Sequence, residues 1–421
     1  MDKQKLIIQG GKRIEGEITL HGAKNSALPL LAAAALVGDG ECVLHNCPRL
    51  TDVDAACRIL NHIGVRCRRE GATVITNAET LSCCEVPVGL MREMRSSIVF
   101  LGAILGRMGH CRLSFPGGCE LGPRPIDLHL SALKEMGADI AEQHGYLECN
   151  APKGLFGTVI SLSFPSVGAT ENIILAAVKA EGVTEIHNAA REPEICDLAD
   201  FLCGCGAKIS GAGSDKITIE GVKTLHGCEH RVIPDRIAAA TYLCCAAATG
   251  GELVLSGANA SHLGAVIPVM QSMGCRIYSY GRENIYINVR GRLKAPVTVR
   301  TMPYPGFPTD AQALLMAISV TASGTSLFVE NIFENRYRHA GELSRMGAKI
   351  KVEGKVAVVE GVPSLSGTEL VATDLRGGAA LVIAALGAEG TSTIGEIHHI
   401  DRGYESIEKA LRSVGADIKR I

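Results

Sequence analysis

The chain has 421 residues, 47% of them hydrophobic, and a formal net charge of −2. This length is too great for one hydrophobic core and predicts two domains. The small net charge argues against broad binding to nucleic acid or to membrane surfaces, so a local group of Arg and Lys must hold any anionic ligand.

The sequence shows no signal peptide and no uncharged apolar run long enough to cross a membrane. Its 16 cysteines include no pair with the Cys-x-x-Cys spacing. This pattern indicates reduced thiols rather than a zinc site, and we therefore predict a cytoplasmic protein without a metal.

A short pattern occurs six times, in which a hydrophobic residue or Cys is followed by Gly, a small residue, one further residue and then Ile or Cys. Neighbouring copies are 68 to 73 residues apart. One unit of about 70 residues is therefore repeated six times. The glycines of the six copies are Gly64, Gly137, Gly206, Gly274, Gly347 and Gly415.

The pattern of each repeat predicts a strand, an apolar helix, a second strand that follows a glycine, an amphipathic helix and a hairpin. The order of elements is therefore β-α-β-α-β-β. The apolar helices are predicted at residues 26–37, 96–108, 169–180, 237–248, 311–322 and 379–388. The amphipathic helices are predicted at residues 54–62, 127–135, 195–203, 263–272, 338–345 and 404–412. The glycines expected to end the apolar helices are Gly40, Gly109, Gly182, Gly251, Gly324 and Gly390.

A helix that is apolar on all sides must be buried, so the repeats have to associate. With three repeats per lobe, the predicted fold is a two-lobed inside-out α/β barrel whose apolar helices lie inside. We predict one lobe at residues 22–231, with repeats 1–3 and the Cys119 loop. The other lobe comprises residues 1–21 and 232–421, with repeats 4–6, and it includes the first strands of the chain.

The apolar helices begin with polar and basic residues. A helix N-terminus carries partial positive charge and free N–H groups, and it therefore attracts phosphates. An Asp at such a start can also be an ordinary N-cap, but a recurring basic residue is not explained in that way. The residues at these starts include Lys24, Asn25, Arg95, Ser166, Val167, Asp235, Arg236, Asp310, Asp374 and Arg376.

Residues 115–125 contain three Gly and three Pro, which predicts a loop, and Cys119 lies within it. Most cysteines are buried and inert, but the nearby Arg124 favours the thiolate form of this one. A thiol at this position can donate a proton or act as a nucleophile. His129 follows on an amphipathic helix, where a packing or capping role is favoured over a catalytic one.

Nine short motifs follow one another along nearly the whole chain. They lie at residues 21–29, 94–98, 116–119, 122–129, 166–170, 191–194, 307–310, 334–336 and 399–405. In this order they resemble the motifs of the UDP-N-acetylglucosamine 1-carboxyvinyltransferases, a family of enolpyruvyl transferases that begins peptidoglycan precursor synthesis. The family fold has two lobes of three repeats.

The resemblance implies that the enolpyruvyl group of phosphoenolpyruvate is transferred to the 3′-hydroxyl of UDP-N-acetylglucosamine, with release of phosphate and without a cofactor. It implies that Cys119 donates a proton to the methylene carbon and that Asp310 accepts the proton of the sugar hydroxyl. The cations implied to bind phosphoenolpyruvate are Lys24, Arg124 and Arg402, and Lys24 is also counted as catalytic. The other residues expected at the substrates are Asn25, Arg95, Pro125, Ile126, Asp127, Leu128, Ser166, Val167, Ile332 and Arg376.

The chain departs from the family pattern at His21, at Phe164 and in residues 337–339. Phe164 stands where some members have a basic residue. Two alternatives remain: a transferase acting on shikimate phosphate, and a catalytically silent sensor of UDP-sugars. The Gly22-Ala23-Lys24-Asn25 opening disfavours the first, and the retained Lys24, Cys119, Arg124, Asp310 and Arg402 disfavour the second.

Overall fold

A computed structural model describes residues 4–94, 96–114 and 126–421 of the chain. These residues form two compact units. Residues 22–94, 96–114 and 126–233 form one, called here the Lys24 unit, and residues 4–21 and 234–421 form the other, called the Asp310 unit. The predicted lobes have the same first boundary, after residue 21, whereas their second boundary follows residue 231 instead of 233.

Fourteen α-helices lie in the described ranges, and two short 3₁₀ helices accompany them at Ser97–Val99 and Ala260–Leu263. The α-helices are α1 (Lys24–Ala34), α2 (Thr51–His62), α3 (Val88–Glu93), α4 (Phe100–Met108), α5 (Asp127–Glu135), α6 (Val167–Ala177), α7 (Pro193–Gly204), α8 (Arg236–Thr249), α9 (Val266–Ser272), α10 (Thr309–Ser319), α11 (His339–Arg345), α12 (Leu375–Gly387), α13 (His398–Asp401) and α14 (Ile407–Ser413).

The strands are short, with two to five residues each. In chain order they are β1 (Leu6–Gln9), β2 (Glu15–Thr19), β3 (Glu41–His45), β4 (Arg66–Glu70), β5 (Thr73–Asn77), β6 (Glu85–Val86), β7 (His110–Ser114), β8 (Asp139–Gln143), β9 (Tyr146–Asn150), β10 (Val159–Ser161), β11 (Val183–His187), β12 (Lys208–Ser210), β13 (Lys216–Glu220), β14 (Glu229–Arg231), β15 (Glu252–Ser256), β16 (Arg276–Tyr280), β17 (Asn284–Asn288), β18 (Thr298–Arg300), β19 (Thr325–Val329), β20 (Lys349–Glu353), β21 (Val356–Glu360), β22 (Glu369–Val371), β23 (Thr391–Gly395) and β24 (Asp417–Arg420).

The six apolar helices lie in the cores of the two units, as predicted. In the Asp310 unit α8, α10 and α12 pack against one another, and in the Lys24 unit α4 packs against α1 and α6. Most residues of these helices are buried. Each unit thus buries three apolar helices together, because none of them has a polar face to turn towards water.

Six four-stranded sheets cover these helices in the described residues. In the fifth repeat β18 pairs parallel to β19, and β21 lies antiparallel between β19 and β20. The second and third repeats show the same order, β6-β7-β9-β8 and β10-β11-β13-β12. The predicted α/β fold of β-α-β-α-β-β repeats is confirmed.

The sheets of the first, fourth and sixth repeats are completed by strands from distant parts of the chain. β2, which precedes α1, pairs parallel to β15 of the fourth repeat, while β14 pairs parallel to β3 of the first. β1 lies between β23 and β24 in the sixth sheet. β1 and β2 therefore pair within sheets of the Asp310 unit, where the first strands of the chain were predicted to lie.

The repeated glycine has one backbone conformation in all six copies. Its φ angle is 95° at Gly64 and 108° at Gly274, and the other four copies lie between these values. This left-handed region strongly favours glycine and lets the chain turn from the amphipathic helix into the hairpin. Of the glycines predicted to end the apolar helices, Gly109, with φ 70°, caps α4, whereas Gly250 instead of Gly251 caps α8. The prediction is wrong for the other four helices, α1, α6, α10 and α12, each of which ends three or more residues before its predicted glycine.

Candidate active site

Asp310 lies in the first turn of α10, and two arginines hold its carboxylate. Arg336 Nη2 donates to Oδ1 at 2.8 Å, and Arg376 Nη2 donates to Oδ2 at 3.0 Å. The side chain of Asp310 is 27% exposed, whereas each arginine side chain is 3% exposed. The two buried guanidinium groups therefore hold the carboxylate in a fixed orientation, and the carboxylate stays accessible to a ligand.

Arg376 lies in the first turn of α12, where a second set of contacts holds it. Its Nη1 donates to the Tyr404 hydroxyl at 3.2 Å, and that hydroxyl is 2.8 Å from Thr241 Oγ1. Burial alone would lower the pKa of Arg376, but Asp310, Tyr404 and Asp235 together raise it above its ordinary value. The guanidinium is thus a permanent cation inside the Asp310 unit.

The start of α12 is fixed by Asp374. Its Oδ1 accepts from the backbone N–H groups of Arg376 at 3.0 Å and Gly377 at 2.9 Å. Asp235 caps α8 in the same way, accepting from Ile237 and Ala238. These two aspartates are therefore N-caps, which was the simpler interpretation of an Asp at a helix start.

His339, at the start of α11, is fully buried beside this group. Burial is the main cause that lowers its pKa to about 4; Asp374 opposes the shift and Arg336 adds to it. The folded chain thus keeps the imidazole neutral in weak acid, where an unfolded chain would bind a proton.

Acidification is therefore expected to destabilise the protein through His339. The stability is fully present above the ordinary histidine pKa of 6.5 and is lost as the pH falls towards the folded value of about 4. This loss is on the order of 3 kcal/mol. The free energy of unfolding, measured in urea, should fall less between pH 7.5 and pH 5 for His339→Leu than for the wild type. An equal fall in both proteins would show that His339 does not cause the loss.

Lys24 and Asn25 begin α1 in the Lys24 unit. Lys24 Nζ lies 3.4 Å from Asp52 Oδ2, with 12% of the lysine side chain and 2% of the aspartate side chain exposed. Asn25 is half-buried next to it. Asp52 was not recognised from the sequence, although its place in the first turn of α2 made it a plausible partner for a cation at a neighbouring helix start.

The next residue of α1 links this helix to a buried aspartate. Ser26 Oγ donates to Asp197 Oδ2, and His230 Nε2 lies 2.8 Å from Asp197 Oδ1. Burial would lower the pKa of His230, but Asp197 and nearby acidic groups raise it overall. The start of α1 is therefore linked through Asp197 to α7 and β14.

Ser166 and Val167 form the start of α6. Ser166 is the N-cap and its Oγ accepts from Ala169 N at 3.3 Å. The neighbouring α5 packs against α6, and residues 126–128 lie at its start, with Asp127 exposed and Ile126 and Leu128 half-buried. These five predicted substrate-binding residues thus lie at the N-termini of two packed helices.

His129, the next residue of α5, is buried, as a packing role requires. Asn172 Oδ1 accepts from Gly102 N at 2.7 Å, which fixes the orientation of the Asn172 amide. Its Nδ2 lies 2.8 Å from His129 Nδ1. Nδ1 is therefore the acceptor and the imidazole proton lies on Nε2.

The remaining predicted residues divide between the Asp310 unit and the part of the chain that is not described. Ile332 is half-buried and follows β19, and Arg402 is half-buried at the end of α13. Asp310 and Arg376 are in direct contact, whereas Arg336, which completes their cluster, was present in a recognised motif but was not predicted as a site residue. The predicted positions outside the described residues are Arg95, Cys119, Arg124 and Pro125.

The described ranges contain no group of three or more His, Cys, Asp and Glu side chains arranged to hold a metal ion. Their helices are all too short or too polar to cross a membrane. The fifteen cysteines within these ranges are free thiols.

The EPSP synthase (3-phosphoshikimate 1-carboxyvinyltransferase) family matches residues 8–411. The solved structure of the enolpyruvyl transferase NikO from Streptomyces tendae superimposes with a TM-score of 0.91, at 26% identity, over 99% of both chains. The chain therefore belongs to the EPSP synthase family of enolpyruvyl transferases.

Within this family the chain is similar to enzymes named for a nucleotide sugar. It is 52% identical over 417 residues to UDP-N-acetylglucosamine 1-carboxyvinyltransferase 2 of Caldanaerobacter subterraneus subsp. tengcongensis, covering 99% of both chains. It is 48% identical over 419 residues to UDP-N-acetylglucosamine 1-carboxyvinyltransferase of Psychrobacter arcticus, again covering 99% of both.

Proposed function

We propose that this enzyme transfers the enolpyruvyl group of phosphoenolpyruvate to the 3′-hydroxyl of UDP-N-acetylglucosamine and releases phosphate. The observation that carries the proposal is the identity of 52% over 99% of a relative with that name. The accessible carboxylate of Asp310 at the start of α10 supports it, because the reaction requires a group that accepts the proton of the sugar hydroxyl.

The proposed reaction is an addition followed by an elimination. Cys119 gives a proton to the methylene carbon of phosphoenolpyruvate, and the neighbouring carbon becomes cationic. The sugar oxygen attacks that carbon while Asp310 takes the hydroxyl proton. Phosphate then leaves and the new methyl group loses a proton, which restores the double bond. Acid and base groups of this kind each contribute about a hundredfold or more to the rate.

The substrates carry several negative charges, which fixed cations and helix N-termini would neutralise. We assign Lys24, Arg124 and Arg402 to phosphoenolpyruvate, with Lys24 also acting in catalysis, and Arg376 to substrate binding through its contact with Asp310. The residues that we assign to the nucleotide sugar are Asn25, Arg95, Arg124, Pro125, Ile126, Asp127, Leu128, Ser166, Val167, Asp310 and Ile332.

Phosphate release measured with both substrates present tests the proposal. The wild-type chain should release phosphate only when phosphoenolpyruvate and UDP-N-acetylglucosamine are mixed. Replacing the nucleotide sugar by shikimate 3-phosphate should abolish release, which separates this activity from the one for which the matched family is named. A chain that binds UDP-N-acetylglucosamine without releasing phosphate would be a sensor and would contradict the proposal.

Cys119→Ser is expected to lower phosphate release by about a hundredfold or more, because a serine hydroxyl is a far weaker acid than a thiol. An epoxide of the fosfomycin type should alkylate the Cys119 thiol. Peptide mass spectrometry should find the adduct on Cys119 and not on the exposed Cys203, and Cys203→Ser should retain activity. Full activity of Cys119→Ser, or no adduct on its peptide, would contradict the role.

In the cell we propose that the enzyme acts in the cytoplasm at the first committed step of peptidoglycan precursor synthesis. Loss of the activity would then affect cell-wall biogenesis, cell shape and cell division. We propose no metal or organic cofactor, and no nucleic-acid or membrane partner.

A further inference from the structure

Glu330 is a buried carboxylate directly after β19, with 1% of its surface exposed. Burial of a carboxylate is costly unless hydrogen bonds compensate for the lost water. Four donors meet this requirement. They are Thr301 Oγ1 at 2.9 Å, Ile332 N at 2.8 Å and Phe333 N at 3.1 Å on Oε1, and Thr309 Oγ1 at 3.0 Å on Oε2.

The two oxygens of Glu330 contact different parts of the chain. Oε1 binds the turn that follows β19 through the backbone of Ile332 and Phe333. Oε2 binds the hydroxyl of Thr309, the residue immediately before Asp310 on α10. One side chain therefore links the segment that carries Ile332 to the helix start that carries Asp310.

Thr301 and Arg336 hold the two segments that Glu330 connects. Thr301, at the end of β18, donates to Glu330 and also accepts from Asn331 N at 2.9 Å. Arg336 Nη2 donates to the carbonyl of Thr309 at 3.2 Å and to Asp310 at 2.8 Å. The first turn of α10 thus lies between the carboxylate of Glu330 and the guanidinium of Arg336.

We propose that Glu330 is a positioning residue of the active site, which fixes the distance between Asp310 and the Ile332 segment. This inference rests on the proposed function, in which Asp310 accepts the hydroxyl proton and Ile332 contacts the nucleotide sugar. The hydrogen bond to Oε2 fixes the position of Asp310, and the hydrogen bonds to Oε1 fix the position of Ile332. A displacement of about 1 Å in such a group can lower a rate by about a hundredfold.

The hydrogen bond on Oε2 can be tested separately from the full set of four by substitution. Thr309→Val removes only the hydroxyl on Oε2, and Thr309→Ser restores it. Glu330→Ala removes all four hydrogen bonds. Glu330→Gln can keep its amide oxygen at the position of Oε1, while the amide nitrogen donates to Thr309 Oγ1, so this conservative variant should recover most of the function.

The expected kinetic results separate kcat from the KM for UDP-N-acetylglucosamine. Thr309→Val should lower kcat about tenfold with little change in KM, and Thr309→Ser should be close to wild type. Glu330→Ala should lower kcat at least as much as Thr309→Val does, and it should also raise KM several-fold. Glu330→Gln should have a kcat and a KM close to those of the wild type. Calorimetry should show weaker nucleotide-sugar binding for Glu330→Ala only.

Ser319→Ala is the matched control, because this buried residue at the other end of α10 bonds only to the Leu315 carbonyl, at 2.8 Å, among the described hydrogen bonds. It should lower the Tm without changing kcat or KM. If Thr309→Val and Glu330→Ala also lower only the Tm and leave kcat and KM unchanged, the role of Glu330 is structural and the inference is wrong. If Glu330→Ala does not fold, the kcat values of Thr309→Val and Thr309→Ser still test the inference. A wild-type chain that releases no phosphate would instead overturn the proposed function, and the inference with it.

Discussion

Asp310→Asn is expected to lower phosphate release by about a hundredfold or more while nucleotide-sugar binding changes much less. The amide has the shape of the carboxylate but cannot accept the proton of the sugar hydroxyl. Its oxygen can still accept from Arg336 or Arg376, and the helix start should stay in place. Single-turnover phosphate release and titration calorimetry with UDP-N-acetylglucosamine would measure the two effects.

Asp417→Asn provides the control for this change. Asp417 forms an exposed ion pair with Lys12 at 2.9 Å, far along the chain from α10, and its loss should leave turnover unchanged. If Asp310→Asn abolished binding in a chain that remained folded, Asp310 would be a binding residue only and its role as base would be wrong.

Arg376→Gln is expected to reduce both activity and stability. The substitution removes a guanidinium whose side chain is 3% exposed, together with its bonds to Asp310 and Tyr404. Breaking a buried charged pair costs about 3 kcal/mol or more, and here Arg336 still pairs with the remaining carboxylate, so we expect about 3 kcal/mol. Urea unfolding should show the loss, and phosphate release should fall because Asp310 is then less firmly oriented.

Two further variants distinguish charge from geometry. Arg376→Lys keeps the cation but not the planar fork that contacts Asp310 and Tyr404 together, so it should recover stability only in part. Arg58→Gln breaks a half-exposed pair with Glu93 and should cost less than about 1 kcal/mol. Equal losses for Arg376→Gln and Arg58→Gln would show that burial of the first pair contributes nothing.

The repeat architecture could be predicted because it depends on local rules. A glycine that must adopt a left-handed conformation, and helices that are apolar on all sides, leave their marks in the sequence. The amphipathic helix predicted at 127–135 coincides with α5. Among the apolar helices, α4 begins four residues later than predicted, whereas α1, α6, α10 and α12 begin two to four residues earlier. The polar residues at those starts obscured the boundary, since the apolar pattern begins only after them.

The sequence predicted that the first strands lie in the second lobe, but it did not predict their sheet partners or that of β14, because a strand of three to five residues has no sequence mark that selects its neighbour. The same limit applies to the site. Asp310 and Arg376 stand at predicted helix starts and the family resemblance implied their places at the substrates, but their contact depends on how α10 and α12 pack. Arg336, Tyr404 and Glu330 act through partners at long range, and no spacing in the sequence indicates those pairs.

The sheet partners of β1 and β2 have a consequence for how the chain is made. The Lys24 unit comes from one continuous stretch, so every strand it needs has been synthesised once β14 leaves the ribosome. The Asp310 unit must join β1 to β24, which is among the last segments to be made. During translation β1 and β2 therefore have unpaired edges until the rest of the Asp310 unit has been made, while the Lys24 unit can already fold. Unpaired strand edges promote aggregation, so the nascent chain is most prone to aggregate during this interval.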